Sequence, residues 1–291
     1  MPAFQYISDI HLETRHNVSI NLFKRILKPV APYLALCGDI GYPGAALYEP
    51  FLKYCSENFE HVFYVAGNHE FYNDMQAIKY LKNKPQIQVE VSEEEARRIS
   101  VRFTRHTPET RTQKIREICA KYSNIHFMDK ETFHIPNTNI LVIGCTLWSK
   151  LDINPVVLPS FNDFNRICET KDAFLTPKTY DDWNEEHVEF LERAIRGAEQ
   201  KTVVVITHHC PTYDIIADKY LENDSDGANS FIANRDLVSP FGKNVKAWFC
   251  GHTHGCKKIS LDGTIVATNT MGYDGEHIQG FKTDAIVELL S

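Results

Sequence analysis

No apolar run in this chain approaches the roughly 18 residues that a membrane-spanning helix needs, and the longest runs are strand-sized. An excess of basic charge is also missing. Over 291 residues, 31 Lys and Arg stand against 38 Asp and Glu, a net −7, so wholesale binding to a nucleic-acid backbone is not the default. The eight cysteines, at 37, 55, 119, 145, 168, 210, 250 and 256, include no Cys-x-x-Cys pair, which removes a zinc ribbon and a thioredoxin-type redox site. Most lie in or beside apolar runs, where a reduced thiol behaves as a small buried hydrophobe, and this favours a reducing compartment. Internal repeats and low-complexity tracts are absent. The opening Met1-Pro2-Ala3-Phe4-Gln5-Tyr6-Ile7 has neither the basic start nor the long apolar stretch of a signal peptide. The expectation is a soluble, cytoplasmic protein with no membrane partner.

What is present is ordinary globular composition, 43% apolar and 24% charged, with length enough for a sizeable core. Six short apolar, β-branched or aromatic runs read as strands: Phe4 to Ile7, Tyr33 to Cys37, Val62 to Ala66, Ile140 to Cys145, Val203 to Thr207 and Ala247 to Cys250. Helical periods lie between them. One is Ile20, Phe23, Ile26 and Leu27, closed by Pro29; another is Leu47, Phe51, Leu52 and Cys55. A third runs through Trp183, His187, Phe190, Leu191, Ala194 and Ile195, with a cap expected at Thr179 and Asp182 three residues on. Lys258 to Ile265 reads as a hairpin around Asp262-Gly263, and Asp284 to Leu290 as a closing strand. Alternating strand and helix predicts an α/β layered domain over 1–291.

One stretch breaks this rhythm. From Lys82 to Lys121 ten Lys and Arg face six Glu, locally +4 in an acidic protein. Ser92 with Glu95 has the form of a capping box, and Arg98, Arg102 and Arg105 would share one helix face. Residues 82–121 are therefore expected to form an inserted helical excursion, the place for a substrate lid.

The chemistry sits at the ends of the strand runs. They are followed by Asp9-Ile10-His11, Gly38-Asp39, Gly67-Asn68-His69-Glu70, His208-His209 and Gly251-His252-Thr253-His254. In open α/β sheets ligands collect beyond the carboxyl ends of the strands. Two Asp, one Asn and four His, without thiolate, suit Mn, Fe, Zn or Co. Seven ligands are too many for one ion but fit two if a carboxylate bridges them. Two dications about 3.5–4 Å apart repel by something on the order of 10–20 kcal/mol at an effective dielectric near 20, which a shared carboxylate and hydroxide offset. The residual positive charge favours an anionic substrate such as a phosphate ester.

Together these residues resemble the calcineurin-like metallophosphoesterase signature, in order and over nearly the whole chain. Ser8-Asp9-Ile10-His11-Leu12-Glu13, Thr146-Leu147-Trp148, Thr207-His208-His209-Cys210-Pro211 and Asn269 to Tyr273 also resemble a bacterial-type group within it. The resemblance implies a four-layer α-β-β-α sandwich of two mixed β-sheets with a dinuclear site at the strand ends. It implies a first metal on Asp9, His11 and His254, a second on Asn68, His208 and His252, and Asp39 as the bridge. His69 matches the family's non-ligand histidine, which assists the leaving oxygen, and a metal-bridging hydroxide would be the nucleophile. His209 has no matching role and is read as structural.

The implied activity is hydrolysis of a small phosphate monoester or diester with two divalent ions, manganese foremost. The pattern departs from the protein Ser/Thr phosphatase branch: Gly38-Asp39 continues as Ile40-Gly41-Tyr42-Pro43-Gly44, not into a second Asp-Arg-Gly, so the motif supplies no orienter for His69. Outside the signature, Asn162, Asp163 and Arg166 are candidate substrate contacts. A nuclease using the basic stretch, or a catalytically idle interaction module on the same scaffold, are the alternatives.

Overall fold

The computed structural model describes residues 2–15, 20–73, 105–222, 224, 226–239 and 243–289. Eleven described strands form two mixed sheets. The first holds β1 (Ala3–Ile7), β2 (Tyr33–Cys37), β3 (His61–Val65), β4 (Ile125–Phe127) and β11 (Ile286–Glu288), in the order β11-β1-β2-β3-β4. The second holds β5 (Glu131–His134), β6 (Ile140–Gly144), β7 (Thr202–Ile206), β8 (Val245–Cys250), β9 (Lys258–Leu261) and β10 (Thr264–Thr268), in the order β5-β6-β7-β8-β10-β9. β1 to β4 are mutually parallel, as are β6, β7, β8 and β10; antiparallel β11, β5 and β9 occupy sheet edges. Parallel strands need covered faces, which is why their sequences are apolar on both sides.

The period of two sorts their side chains into layers. Along β2, Tyr33, Ala35 and Cys37 face the second sheet, while Leu34 and Leu36 face helices. Along β7, Val204 and Ile206 face the first sheet, while Val203 and Val205 pack on Phe190, Leu191 and Ile195 of the helix Pro177–Arg196. Between the sheets, aromatic side chains interdigitate with small ones. Phe4 lies 6.1 Å from Phe63 and 5.9 Å from Phe249 between ring centroids, beside Ala35, Ala247 and Ala267. Burying each such ring contributes roughly 1.5–3 kcal/mol. On the outer face of the first sheet lie the helices Ile20–Ile26, Tyr48–Asn58 and Pro108–Cys119, through Phe23, Ile26, Phe51, Leu52, Ile115 and Ile118. The four-layer sandwich expected from the sequence is the observed architecture.

Three sequence readings change. The helix expected to be capped at Thr179 starts at Pro177, and Thr176 is the cap, its hydroxyl accepting the Thr179 N–H at 3.2 Å. Proline suits a first turn because its missing N–H would have had no partner there. β4 and β5 were not expected: one has three residues, and the other, Glu131–His134, is largely exposed and carries no apolar run. Of the segment 82–121, residues 105–121 are described; Ile115, Ile118 and Cys119 of their helix are buried in the core. The Ser92–Glu95 cap, Arg98 and Arg102 lie outside the described residues. Arg105 donates to the Lys171 carbonyl at 3.1 Å and lies over the Phe174 ring.

Candidate metal centre

The carboxyl ends of β1, β2, β3, β7 and β8 meet where the two sheets abut, and hydrogen bonds there cross from one sheet to the other. The Asp9 carboxylate accepts the His252 N–H at 3.1 Å, and His208 Nδ1 lies 2.8 Å from the Cys37 carbonyl. The backbone turns sharply beyond β1, β2 and β8. Asp9, His11, Asp39, His252 and His254 all have positive φ, between 44° and 65°. Such left-handed conformations cost of order 1–3 kcal/mol each for residues with a Cβ, and they cluster where surrounding structure enforces them. Glycine is required beside them. A Cβ on Gly67 would collide with the Asp39 carboxylate, and one on Gly251 would lie 2.6 Å from Ser8 Oγ and 2.7 Å from Asp9 Oδ2.

Glu70 ties these ends together. Its buried carboxylate accepts the N–H groups of Gly67 at 2.7 Å, Ile40 at 2.8 Å and Asp39 at 3.0 Å, and the Tyr64 hydroxyl at 2.9 Å. One side chain thus satisfies donors from two loops that would otherwise be buried and unpaired.

The donor atoms converge in overlapping groups. Asp9, His11 and His254 form one trio and Asp39, His208 and His252 another, each with its ligand atoms within 4.8 Å of one another. Asp39 also joins His11 and His69 in a third. His11 Nε2 lies 3.2 Å from His254 Nε2, and His254 Nε2 is 3.5 Å from Asp9 Oδ1. His208 Nε2 lies 3.1 Å from both His252 Nδ1 and Asn68 Oδ1, and 3.6 Å from Asp39 Oδ1. The other Asp39 oxygen, Oδ2, is 3.8 Å from His11 Nε2 and 3.9 Å from His69 Nε2. Atoms sharing one ion at 2.0–2.2 Å stand about 3.3–3.6 Å apart in a tetrahedral shell, so these spacings fit ligands around common cations. All seven expected ligands are therefore brought together.

Electrostatics point the same way. Burial, then the Glu70 and Asp9 carboxylates, pushes the Asp39 carboxyl well above its usual range. Burial holds His208 and His252 well below theirs, and with the neighbouring His69 brings His11 down to about 4. Crowded carboxylates beside neutral imidazoles are a donor set that a divalent cation stabilises.

A further shell fixes which nitrogen faces inward. His254 Nδ1 is 2.6 Å from Glu276 Oε2, and Glu13 Oε1 lies 3.1 Å from His11 Nδ1 and 2.9 Å from His69 Nδ1. Each Nε2 is left toward the centre, the usual carboxylate–histidine arrangement of metal sites. Asn68 is set similarly. Its amide nitrogen donates to Asp163 Oδ1 at 2.8 Å and to the Tyr72 hydroxyl at 2.9 Å, so its oxygen faces His208.

Asp163, expected as a substrate contact, is fully buried behind Asn68, and burial raises its carboxyl to about 6. Arg166 packs its guanidinium 4.5 Å from the Tyr72 ring centroid, bonds the Tyr42 hydroxyl, and is not among the cavity's lining residues. Asn162 does line the cavity, of about 330 Å³, whose floor includes Asp39, Asn68 and His69. His209 is buried between the Thr146 carbonyl and the Tyr180 hydroxyl. Sequence reasoning assigned no role to Glu13, although it stands two residues from His11, or to Glu276 and Tyr273. Glu276 had no signal: it lies 22 residues beyond its partner in an irregular loop.

These features form a candidate metal centre, with clusters of His and Asp that could coordinate divalent ions, and the chain belongs to the calcineurin-like phosphoesterase family, whose sequence model matches residues 5–256. Among known proteins it is similar to Uncharacterized protein L509 of Acanthamoeba polyphaga mimivirus, at 28% identity over 304 residues covering 99% of this chain and 97% of the other. Its fold resembles the crystal structure of phosphopantetheinyl hydrolase (PptH) from Mycobacterium tuberculosis, with a TM-score of 0.62 and 14% identity over 94% of this chain and 90% of that one. Among the described residues no helix is long and apolar enough to cross a membrane.

Proposed function

We propose that this chain is a dinuclear metal-dependent phosphoesterase, with Asp9, His11 and His254 holding one ion, Asn68, His208 and His252 the other, and Asp39 bridging them. The observation that carries the reading is the position of Asp39, whose two oxygens face donors of both trios. The mixed oxygen and imidazole donors suit manganese, with iron, zinc or cobalt as related occupants. When bound, the two ions supply Lewis acidity toward the phosphoryl oxygens and hydroxide at neutral pH.

The protein's own groups do the rest. Asn162, which lines the cavity, would contact a phosphoryl oxygen of the substrate. The oxygen of water, its proton released to solvent, joins phosphorus as the ester P–O bond breaks; the leaving oxygen takes a proton from His69 Nε2, and His69 then regains one from solvent. That nitrogen faces inward because Nδ1–H is held by Glu13. Burial disfavours the imidazolium of His69, and the Glu13 carboxylate opposes that penalty. The Tyr273 hydroxyl, 3.2 Å from His69 Nε2, is a second partner at the same atom. No covalent phosphoenzyme is needed. All eight cysteines are unpaired and seven are buried, which supports a cytoplasmic setting.

Metal analysis of the purified protein, followed by a manganese-supplemented panel of phosphate mono- and diesters, tests the reading. Two ions per chain and turnover are expected. Asp39→Asn should lose metal and turnover together. His69→Ala should keep its ions but slow turnover of esters with poor leaving groups by about 10²–10⁴-fold. A folded protein that binds no divalent ions, or binds two and hydrolyses nothing in the panel, refutes it.

A further inference from the structure

We infer that this site takes a phosphoester with a single phosphoryl group on a flat, uncharged body, and discriminates against polyanions; the inference rests on the phosphoesterase reading and narrows it. Three observations carry it. Beyond the expected ligands, the cavity lining includes the aromatic rings of Phe161, Phe231, Tyr220 and Tyr273. Phe161 and Phe231 are 4.5 Å apart between centroids, and Tyr273 stands 4.8 Å from the His254 ring. Such faces bind a planar ring by stacking and by excluding water.

No lysine or arginine lines the cavity among the described residues, and its acidic members, Asp39 and Glu276, are already committed to the centre. The nearby cations among the described residues already have partners. Arg15 pairs with Asp274 at 3.2 Å and donates to the Ile10 carbonyl, Lys219 pairs with Glu276 at 3.4 Å, and Arg166 bonds the Tyr42 hydroxyl. Among the described residues, a second phosphate on the substrate would face lining without compensating charge, where recognition of polyphosphates calls for arginine or lysine.

An apolar face is also open to solvent here: Tyr273, one of the exposed large hydrophobics in the described structure, lines the cavity itself. A cavity of about 330 Å³ is at the lower end of small-molecule sites, enough for a phosphoryl group and one or two rings.

Binding of non-hydrolysable phosphonates to the manganese-loaded protein separates this inference from catalysis. Calorimetric titration would compare methylphosphonate, naphthylmethylphosphonate and inositol hexakisphosphate at 0.05 and 0.2 M salt. The naphthyl compound should bind at least about tenfold tighter than the methyl one, with little salt dependence. Phe161→Ala and the volume-conserving Phe161→Leu should both erode that gain, with metal content and thermal unfolding checking that each variant is folded. Equal affinity for the two phosphonates overturns the inference, as does the polyanion binding tightest with a steep salt dependence. If esters are turned over while the ring brings no gain, this inference fails and the phosphoesterase reading stands. If two ions bind but neither phosphonate does and no ester is cleaved, both fail.

Discussion

Replacing Glu13 by alanine removes one oxygen that holds two imidazoles, 2.9 Å from His69 Nδ1 and 3.1 Å from His11 Nδ1. The two rings serve different ends, so the losses should separate. At His11 the change strips a carboxylate partner from a metal ligand, and losses of this kind cost about 10–100-fold in metal affinity. At His69 the ring loses the contact that fixes its tautomer. Its proton-donating share, about 10²–10⁴-fold for an optimally placed acid, should fall by a part of that range. With manganese well above the weakened affinity, the His11 effect is saturated out and the His69 effect remains. The expected result is kcat lowered by about 10–100-fold for an alkyl phosphate, a much smaller change for nitrophenyl phosphate, and KM nearly unchanged. Glu13→Gln keeps an acceptor oxygen without the charge and should fall between. The assay is steady-state kinetics over leaving groups of graded pKa, beside a manganese titration. A uniform loss across all leaving groups would place Glu13 in the metal shell alone. No loss at all would refute the reasoning.

Two further outcomes follow from packing and burial. Gly67→Ala places a methyl group against the Asp39 carboxylate, so it should empty the centre while leaving the sheets folded, read as lost metal binding with retained circular dichroism. His187 is fully buried, accepts the Leu147 N–H at 2.9 Å, and burial lowers its pKa to about 3. The unfolded chain therefore binds a proton there between about pH 6.5 and 3 that the folded one refuses. Stability contributed by this site is full above pH 6.5 and falls on acidification by up to about 1.4 kcal/mol per pH unit. Urea unfolding at pH 7 and pH 5 should show that loss, and His187→Gln should make it smaller.

The legible part of the molecule was what periodicity and motif spacing encode. The apolar runs at Tyr33 to Cys37 and Val203 to Thr207 marked the strands, and the polar residues just beyond them fell at one edge as α/β geometry requires. The remainder was hidden for identifiable reasons. β5 is exposed and polar, so it exists only because β6 offers an edge to pair with. Asp163 looked like a cavity residue because it neighbours Asn162, but a one-residue step on a helical turn sends it inward to Asn68. Glu276 and Glu13 act through partners, and a carboxylate acting at second hand has no distinctive spacing. Thr176 was passed over for Thr179 because the amphipathic stripe begins a turn later than the backbone helix.

The carboxylate of Glu70 has a consequence for how the protein meets its ions. It clasps the Gly67 and Asp39–Ile40 turns through main-chain donors and needs no cation to do so. In small zinc modules the ion itself drives collapse of the chain. Here the nest is woven beforehand, so chelators should lift the cargo out and leave the scaffold standing, ready for reloading.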